Sequence, residues 1–305
     1  MPVFPAENKL NLNNGRLNFG LPHWFRQEIP DEKTLGIMQL LSKSNVNTVC
    51  QEARCPNLSH CFKNLKLTFM ILGDTCTRNC RFCAAEKSRP QKKLTLDLYE
   101  PLRIAKVAKL LGLNYVVITS VTRDDLKDGG ASIFAETVSL IRGIKSDIRI
   151  EILIPDFKGN IASLQYVLNT QPDVVAHNME TVARLYQDLR PMADYALSLA
   201  VLTKIKELKP GLTTKSSIML GLGETEEEVV QAMQDLINAK CDILTLGQYL
   251  SPSSEHYPVK EFISLERFRR YQDIGTTLGF KAVLSGPLVR SSYQAEEVYQ
   301  KVAYV

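Results

Sequence analysis

From Thr68 onward, short apolar runs of strand length alternate with segments whose apolar positions recur at helical spacing. The runs are Phe69 to Leu72, Tyr115 to Thr119, Ile148 to Leu153, Asp173 to Ala176, Ser217 to Leu220 and Ile243 to Leu246. Helical stretches lie between them, near 99 to 111, 131 to 143, 160 to 168, 181 to 208 with a break at Arg190-Pro191, and 226 to 239, with a sixth near 264 to 278. This alternation predicts parallel βαβ units, and six of them make an incomplete version of the (β/α)8 barrel: an α/β fold, a partial (β/α)6 TIM-like barrel. Ser264 caps the sixth helix, with Arg267 where a capping box needs Glu or Gln. Gly112 and Gly279 stand where helices stop.

Outside the repeat the pattern changes. To about Asn47 the chain reads as an irregular arm, with one helix capped by Asp31 and carrying Leu35, Met38 and Leu41. Trp24 and Phe25 are expected to anchor that arm on the body. After a further run, Phe280 to Leu284, the turn Ser285-Gly286-Pro287 places Arg290, Ser291, Ser292 and Tyr293 on a loop before a terminal helix. The expected division is an N-terminal extension (1–64), a partial barrel (65–280) and a C-terminal extension (281–305).

The polar strings follow the strands. After the first come Cys76, Cys80 and Cys83, spaced C-x3-C-x2-C; after the others come SVTRDDLKDGG, IPDF, HNMET, GLGET and GQYLSPSS. In barrels of this kind the loops after the strand C-termini build the active site. Three thiolates on one loop are a metal ligand set, and a structural zinc site wants four ligands in a closed tetrahedron. An iron-sulfur cluster held by three cysteines keeps one iron open for a substrate or cofactor. A second triplet, Cys50, Cys55 and Cys61, is spaced C-x4-C-x5-C just upstream, with His60 raising a zinc alternative. Two incomplete sets suggest two clusters. Seven cysteines in a reducing compartment favour metal ligation over disulfides, and Cys241, the seventh, reads as a buried or partly buried free thiol.

Composition adds exclusions. With 45% hydrophobic and 23% charged residues a sizeable core is expected, and a net charge of +4 is too small to argue for nucleic acid. No apolar run reaches membrane-spanning length, and the first twenty residues lack a signal pattern. A cytoplasmic protein, or one in an organelle matrix, is expected. Lys87, Arg89, Lys92 and Lys93 read as a solvated loop after the first triplet.

The first triplet, directly after a barrel strand, resembles the signature of the radical S-adenosylmethionine (radical SAM) superfamily. With both triplets and the string RSSY (Arg290 to Tyr293) in view, the chain resembles the lipoyl synthase family. CPN (Cys55 to Asn57), FMILGDTCTR (Phe69 to Arg78), RDDLKDGG (Arg123 to Gly130), GLGET (Gly221 to Thr225) and LTLGQYL (Leu244 to Leu250) carry the likeness from about Val49 to Ala295. Thr122, Phe62 and Gln294 depart from the family's usual Asp, Trp and His.

The resemblance implies two [4Fe-4S] clusters. Cys76, Cys80 and Cys83 would hold the catalytic one, whose open iron takes S-adenosylmethionine. Thr119, Ser120, Asp124, Asn178, Glu180, Gly221, Gly223 and Glu224 would contact that cofactor. Cys50, Cys55 and Cys61 would hold an auxiliary cluster acting as sulfur source, with a fourth ligand from RSSY, Ser292 favoured over Ser291 and Arg290 beside it. A serine oxygen is a poorer partner than thiolate for a soft iron-sulfide centre, so it could leave readily. The implied reaction inserts two sulfurs into an octanoyl chain carried on a lysine of a lipoyl carrier domain, such as an acyltransferase subunit of a 2-oxoacid dehydrogenase or the glycine cleavage H protein. A flavodoxin or ferredoxin would supply electrons, and an iron-sulfur carrier would resupply the cluster. Two alternatives stand: a methylthiotransferase, for whose extra domains the chain has neither room nor charge, and an iron-sulfur electron carrier or zinc module, which would seal its metal with four ligands.

Overall fold

A computed structural model describes residues 22–25, 28–89 and 94–303, so Lys92 and Lys93 lie outside the described residues. Phe25 is buried against Phe262, with ring centroids 5.8 Å apart, which anchors the arm as expected. Helix α1 (Glu32–Lys43) starts where Asp31 accepts the Thr34 N–H at 2.8 Å and buries Ile37 and Leu41. Strand β1 (Asn47–Thr48) leads into two short helices, α2 (Val49–Glu52) and α3 (Leu58–Lys63).

Strand β2 (Thr68–Ile71) opens the repeat, and β3 (Thr75–Cys76) pairs in parallel with β4 (Glu86–Lys87) as a separate small ladder. Then follow α4 (Glu100–Leu110), β5 (Tyr115–Ser120), α5 (Ala131–Ile144), β6 (Arg149–Leu153), α6 (Ile161–Leu168) and β7 (Val174–Ala176). Next come α7 (Tyr186–Leu189), α8 (Tyr195–Leu208), β8 (Thr213–Leu220), α9 (Glu226–Asn238), β9 (Ile243–Gln248), α10 (Leu265–Leu278), β10 (Ala282–Gly286) and α11 (Ala295–Ala303). Among the described residues the main sheet runs β1-β2-β5-β6-β7-β8-β9-β10, all parallel except β1. The expected α/β partial barrel is present.

Two boundaries differ from the sequence pattern, each for a local reason. The last run, expected at 280 to 284, pairs with β9 from Ala282 to Gly286, because Phe280 is taken up in the cap of α10, its N–H bonding the Gly275 carbonyl at 3.2 Å. The C-terminal segment therefore begins as a seventh parallel strand of the same sheet. The expected break at Arg190-Pro191 is present: the stretch 181 to 208 divides into α7 and α8, because the residue before Pro191 is driven out of the helical region and Asp194 caps a new start, accepting the Leu197 N–H at 2.6 Å. Strand β8 begins at Thr213, earlier than the apolar run at 217, because Thr214, Lys215 and Ser216 are polar yet buried.

Their burial is explained by the floor of the barrel. The Lys215 ammonium lies 2.9 and 3.2 Å from the two Glu151 oxygens, with both side chains 1% exposed, and Tyr115 donates to Glu151 at 2.8 Å. Nearby, Asp242 accepts from Lys206, from Lys281 at 2.9 Å and from the Thr214 N–H at 2.8 Å. Buried charges are tolerated when paired and hydrogen-bonded, as here. At the other end of the strands Gly130, with φ +90°, lets the loop after β5 close on β2, where a Cβ would stand 2.3 Å from a Leu72 methyl.

Breaking one partner of the floor pair costs more than replacing both. Lys215→Met should lower the unfolding free energy by about 3 to 5 kcal/mol. Lys215→Met with Glu151→Gln, which still accepts from Tyr115, should recover most of it, as measured by chemical denaturation.

Candidate functional site

The first cysteine loop leaves β2 through Leu72 and Gly73, whose N–H groups both donate to the Glu100 carboxylate, at 2.6 and 3.2 Å. Between Cys76 and Cys80 the chain is tied down on both sides. Thr77 bonds the Thr122 carbonyl through its N–H and its hydroxyl, each at 2.9 Å, and the Asp124 N–H donates to that hydroxyl at 2.9 Å. Arg78 is 5% exposed and makes two forked pairs, with Asp124 at 2.8 and 3.1 Å and with Asp156 at 2.6 and 2.6 Å. Burial alone would raise the Asp156 carboxyl, but Arg78 outweighs it and holds it below the usual range.

The three thiols of this loop are only half-buried in the chain surface; Cys80 feels both Cys83 and Cys76, and Cys83 feels Cys76. Burial raises both thiols, opposed at Cys80 by Arg190 and at Cys83 by Lys87. Lys87 was expected on a solvated loop. It lies in β4 instead, with its ammonium on the Cys83 carbonyl at 3.0 Å, while Arg89 is exposed as expected. Arg190, read in the sequence only as a helix break, is buried and donates to the carbonyls of Asn178 and Met179, at 3.3 and 3.1 Å, and to the Tyr186 hydroxyl at 2.7 Å.

The second triplet lines a cavity of about 200 Å³ together with Asn57, Thr68, Arg290, Ser292 and Tyr293. Burial pushes the Cys50 thiol up to about 12, with Cys55 and Cys61 adding to the rise and hydrogen bonds from the Thr68 N–H and hydroxyl opposing it. Burial and Cys55 push Cys61 up to about 11. Metal loading at either set therefore has to displace protons.

The C-terminal loop is clamped onto this cavity. The Asn57 amide donates to the Leu288 carbonyl at 2.6 Å, and β9 accepts the loop at Gly247, where a Cβ would meet the Val289 oxygen at 2.0 Å. Arg290 is turned inward, bonded to the carbonyls of Pro287 and Val289 at 3.3 and 2.6 Å and facing Cys55. The two serines then point apart. Ser291 donates to the Asn178 side-chain oxygen at 3.0 Å, whereas the Ser292 oxygen accepts from Thr68 at 2.7 Å. Asn178 in turn donates to Glu180 at 3.0 Å, and the half-buried Glu180 is felt by Cys80 and Cys83. Hydrogen bonds thus run from Glu180 through Asn178 to Ser291, and its neighbour Ser292 is bonded to Thr68, which lines the same cavity as Cys50.

The remaining expected contacts divide. Thr119 donates to the Leu153 carbonyl at 3.1 Å, and the Ser120 hydroxyl, at the end of β5, is buried without a partner among the described residues. Asp124 is committed to Arg78. Glu224 closes its own turn, accepting from the N–H groups of Gly221 and Leu222 at 2.6 and 2.8 Å, and Gly223 gives its carbonyl to Arg184 at 2.8 Å. His60 stands half-exposed against the Tyr293 ring and 3.8 Å from Glu28. Cys241 is buried, as expected of a free thiol. Arg78, Arg190, Asn57 and Thr68 were missed as site residues, although Arg78 and Asn57 lie inside the quoted strings.

Among the described residues no three His, Cys, Asp or Glu side chains converge on a point that one metal ion could fill. A cluster makes a different demand, since each thiolate takes its own iron and the sulfurs stay apart. Two triplets of thiols, one half-buried on the loop after β2 and one around a cavity with a serine hydroxyl, fit that demand better than a closed zinc tetrahedron.

The family model described as "Radical SAM superfamily" matches residues 70–236. The chain is 52% identical over 275 residues to the lipoyl synthase of Caldanaerobacter subterraneus subsp. tengcongensis, covering 90% of this chain and 95% of that protein. It is 51% identical over 276 residues to the lipoyl synthase of Caldicellulosiruptor bescii, covering 90% and 94%. Among solved structures, the FeFe-hydrogenase maturase HydG from Carboxydothermus hydrogenoformans shares the fold at 12% identity with a TM-score of 0.57, covering 77% of this chain and 56% of that one.

Arg78→Met would leave Asp124 and Asp156 without their countercharge and loosen the first loop. Alkylation of Cys76, Cys80 and Cys83 in the metal-free protein should speed up by about tenfold or more, with Cys241 unchanged, as read by mass spectrometry of the labelled peptides.

Proposed function

The chain belongs to the lipoyl synthase family of the radical SAM superfamily, and we propose that it performs sulfur insertion with two metal centres held by the two cysteine triplets. The family's reaction converts a protein-bound octanoyl chain to lipoyl by adding two sulfur atoms. When bound, the first [4Fe-4S] cluster with S-adenosylmethionine supplies hydrogen abstraction from an unactivated carbon, and the auxiliary [4Fe-4S] cluster supplies sulfur.

The protein's own part is to hold, orient and keep dry. Cys76, Cys80 and Cys83 hold the first cluster, on a loop that Thr77 and Arg78 fasten to the barrel. Ser120, with its free buried hydroxyl, and Asn178 and Glu180, on the loop after β7, are the groups best placed to orient S-adenosylmethionine. Thr119 supports them from the strand end. Asp124 and Glu224 act indirectly, the first through Arg78 and the second by shaping the Gly221–Gly223 turn, whose backbone remains for the cofactor. Cys50, Cys55 and Cys61 hold the auxiliary cluster, and Ser292 is its fourth ligand, because Ser292 shares their cavity whereas Ser291 is engaged by Asn178. Arg290 balances the thiolate charge near Cys55.

The observation that carries this reading is the pair of neighbouring serines, one bound into the rim and the other into the sulfur-rich cavity. It lets one acyl chain reach both centres. The partners proposed are an octanoylated carrier domain, a flavodoxin or ferredoxin donor and an iron-sulfur carrier, in the cytoplasm. No described helix is long and apolar enough to cross a membrane. The proposed division keeps 1–64 and 281–305 as the segments that build the auxiliary site on the 65–280 barrel.

Incubation with reductant, S-adenosylmethionine and an octanoylated lipoyl-domain peptide should add two sulfurs by mass, and a peptide left unthiolated by the fully loaded enzyme would refute the reading. Cys50→Ala should still cleave S-adenosylmethionine while losing thiolation. Ser292→Cys should assemble both clusters, roughly eight irons per chain, yet thiolate poorly; full lipoyl formation would count against a ligand that has to leave.

A further inference from the structure

The cavity of the second triplet does not end at its cysteines. Its wall continues past Thr68 to the residues that precede β2, Asn64 to Leu67, and to those that precede β5, Gly112 to Asn114. The start of α11, at Ala295 and Glu296, forms another side. β2 and β5 are parallel, so both stretches lie at strand N-terminal ends, whereas Cys76, Cys80 and Cys83 follow the C-terminal end of β2. That strand is about 10 Å long from Thr68 to Ile71 at ~3.3 Å per residue. Among the described residues no part of the wall comes from the loops after β2 or after β5 to β9. Asn114 and Gly112 are exposed and Glu296 is half-buried, while Thr68, Leu113 and Tyr115 behind them are buried. The cavity therefore opens at the face of the barrel opposite the rim.

We propose that the second triplet is loaded through this opening, so that iron and sulfide reach it from the barrel face opposite the one that receives S-adenosylmethionine and the acyl chain. The inference rests on the reading of the second triplet as the sulfur source. A sulfur source is consumed as it works, and a site that has to be refilled needs a path for inorganic ions. The space admits them: the cavity holds about 200 Å³, against about 30 Å³ for one water's share of the liquid. Its walls near the opening carry Asn64, Asn114, Lys66 and Glu296, which are polar enough to pass hydrated ions. Lys66 pairs with Glu297, which ties α11 to the segment before β2 and keeps the two walls in place. Iron entering as equal parts ferrous and ferric, with one hydrosulfide per iron, gives the [4Fe-4S]2+ state with no net redox. The protons of the hydrosulfides and of the three thiols leave to water by the same opening. Refilling and thiolation then do not compete for one entrance, because an acyl chain held from the rim leaves the other side of the second site free.

The test changes Asn114 and Glu296, which line the opening but lie on no segment that carries a cysteine. In the metal-free full chain, iodoacetamide labelling of each cysteine is followed by mass spectrometry. Asn114→Trp and Glu296→Trp, which narrow the opening, should slow labelling of Cys55 and Cys61 roughly fivefold, an added barrier of about 1 kcal/mol. Asn114→Ala and Glu296→Ala, which widen it, should speed the same labelling. Cys76, Cys80 and Cys83 should keep their rates in all four variants, and Cys241 should stay protected. Rates at Cys55 and Cys61 that respond to neither kind of substitution, or a first triplet slowed to the same degree, would overturn the proposal. A second readout adds ferrous iron, ferric iron and sulfide anaerobically to protein carrying Cys76→Ala, Cys80→Ala and Cys83→Ala, so that only the second site fills. Filling should slow by a similar factor in the Trp variants, and equal filling rates would also overturn it. Iron and sulfide that bind at the second triplet in none of these proteins would remove the underlying reading, which the metal-free labelling does not depend on.

Discussion

The side-chain amide of Asn178 joins the two halves of the site. Its NH2 group donates to Glu180, beside the first cysteine loop, and its oxygen accepts from Ser291, which carries the C-terminal loop with it. Asn178 is buried, so both bonds are enforced by the cost of leaving amide groups unpaired. Because consecutive Cα atoms are only about 3.8 Å apart, fixing Ser291 at the rim also fixes how far Ser292 can lie from it. The spacing between the first cysteine loop and the cavity of the second triplet is thus tied to one peptide unit.

The two ends of the barrel use buried charge differently. At the floor, Lys215 with Glu151 and Asp242 with Lys206 and Lys281 close on themselves and leave nothing to react. At the rim, Arg78 puts four hydrogen bonds into Asp124 and Asp156, and the result is a cysteine loop whose backbone is held while its sulfurs stay available. Burial keeps Cys50, Cys61, Cys80 and Cys83 as neutral thiols in the metal-free chain, which spares the fold a cluster of like charges until metal arrives.

Much of this was legible in the sequence because periodicity and spacing are local. The βα alternation, the caps at Asp31 and Ser264, the stop at Gly279 and both cysteine triplets are written within a few residues of where they act. The capping box of Thr225 and Glu228 at the start of α9 was equally legible and went unnoticed. What could not be read depends on residues far apart in the chain. The polar opening of β8 looks unlike a strand until Glu151 supplies a partner for Lys215. The pairing of Asp124 with Arg78 joins residues 46 positions apart, and that of Thr68 with Ser292 joins residues 224 positions apart. No local pattern distinguishes Ser291 from Ser292; their opposite directions follow from the clamps at Asn57 and Gly247.

The most direct test of a single peptide unit bridging two metal centres is an anaerobic crystal structure of the loaded protein, with iron located by its anomalous scattering. The expected result is two iron clusters: one on Cys76, Cys80 and Cys83 with an iron free of protein ligands beside Glu180, and one on Cys50, Cys55, Cys61 and the Ser292 oxygen. Iron at one triplet only, or a first cluster sealed by a fourth protein side chain, would contradict it.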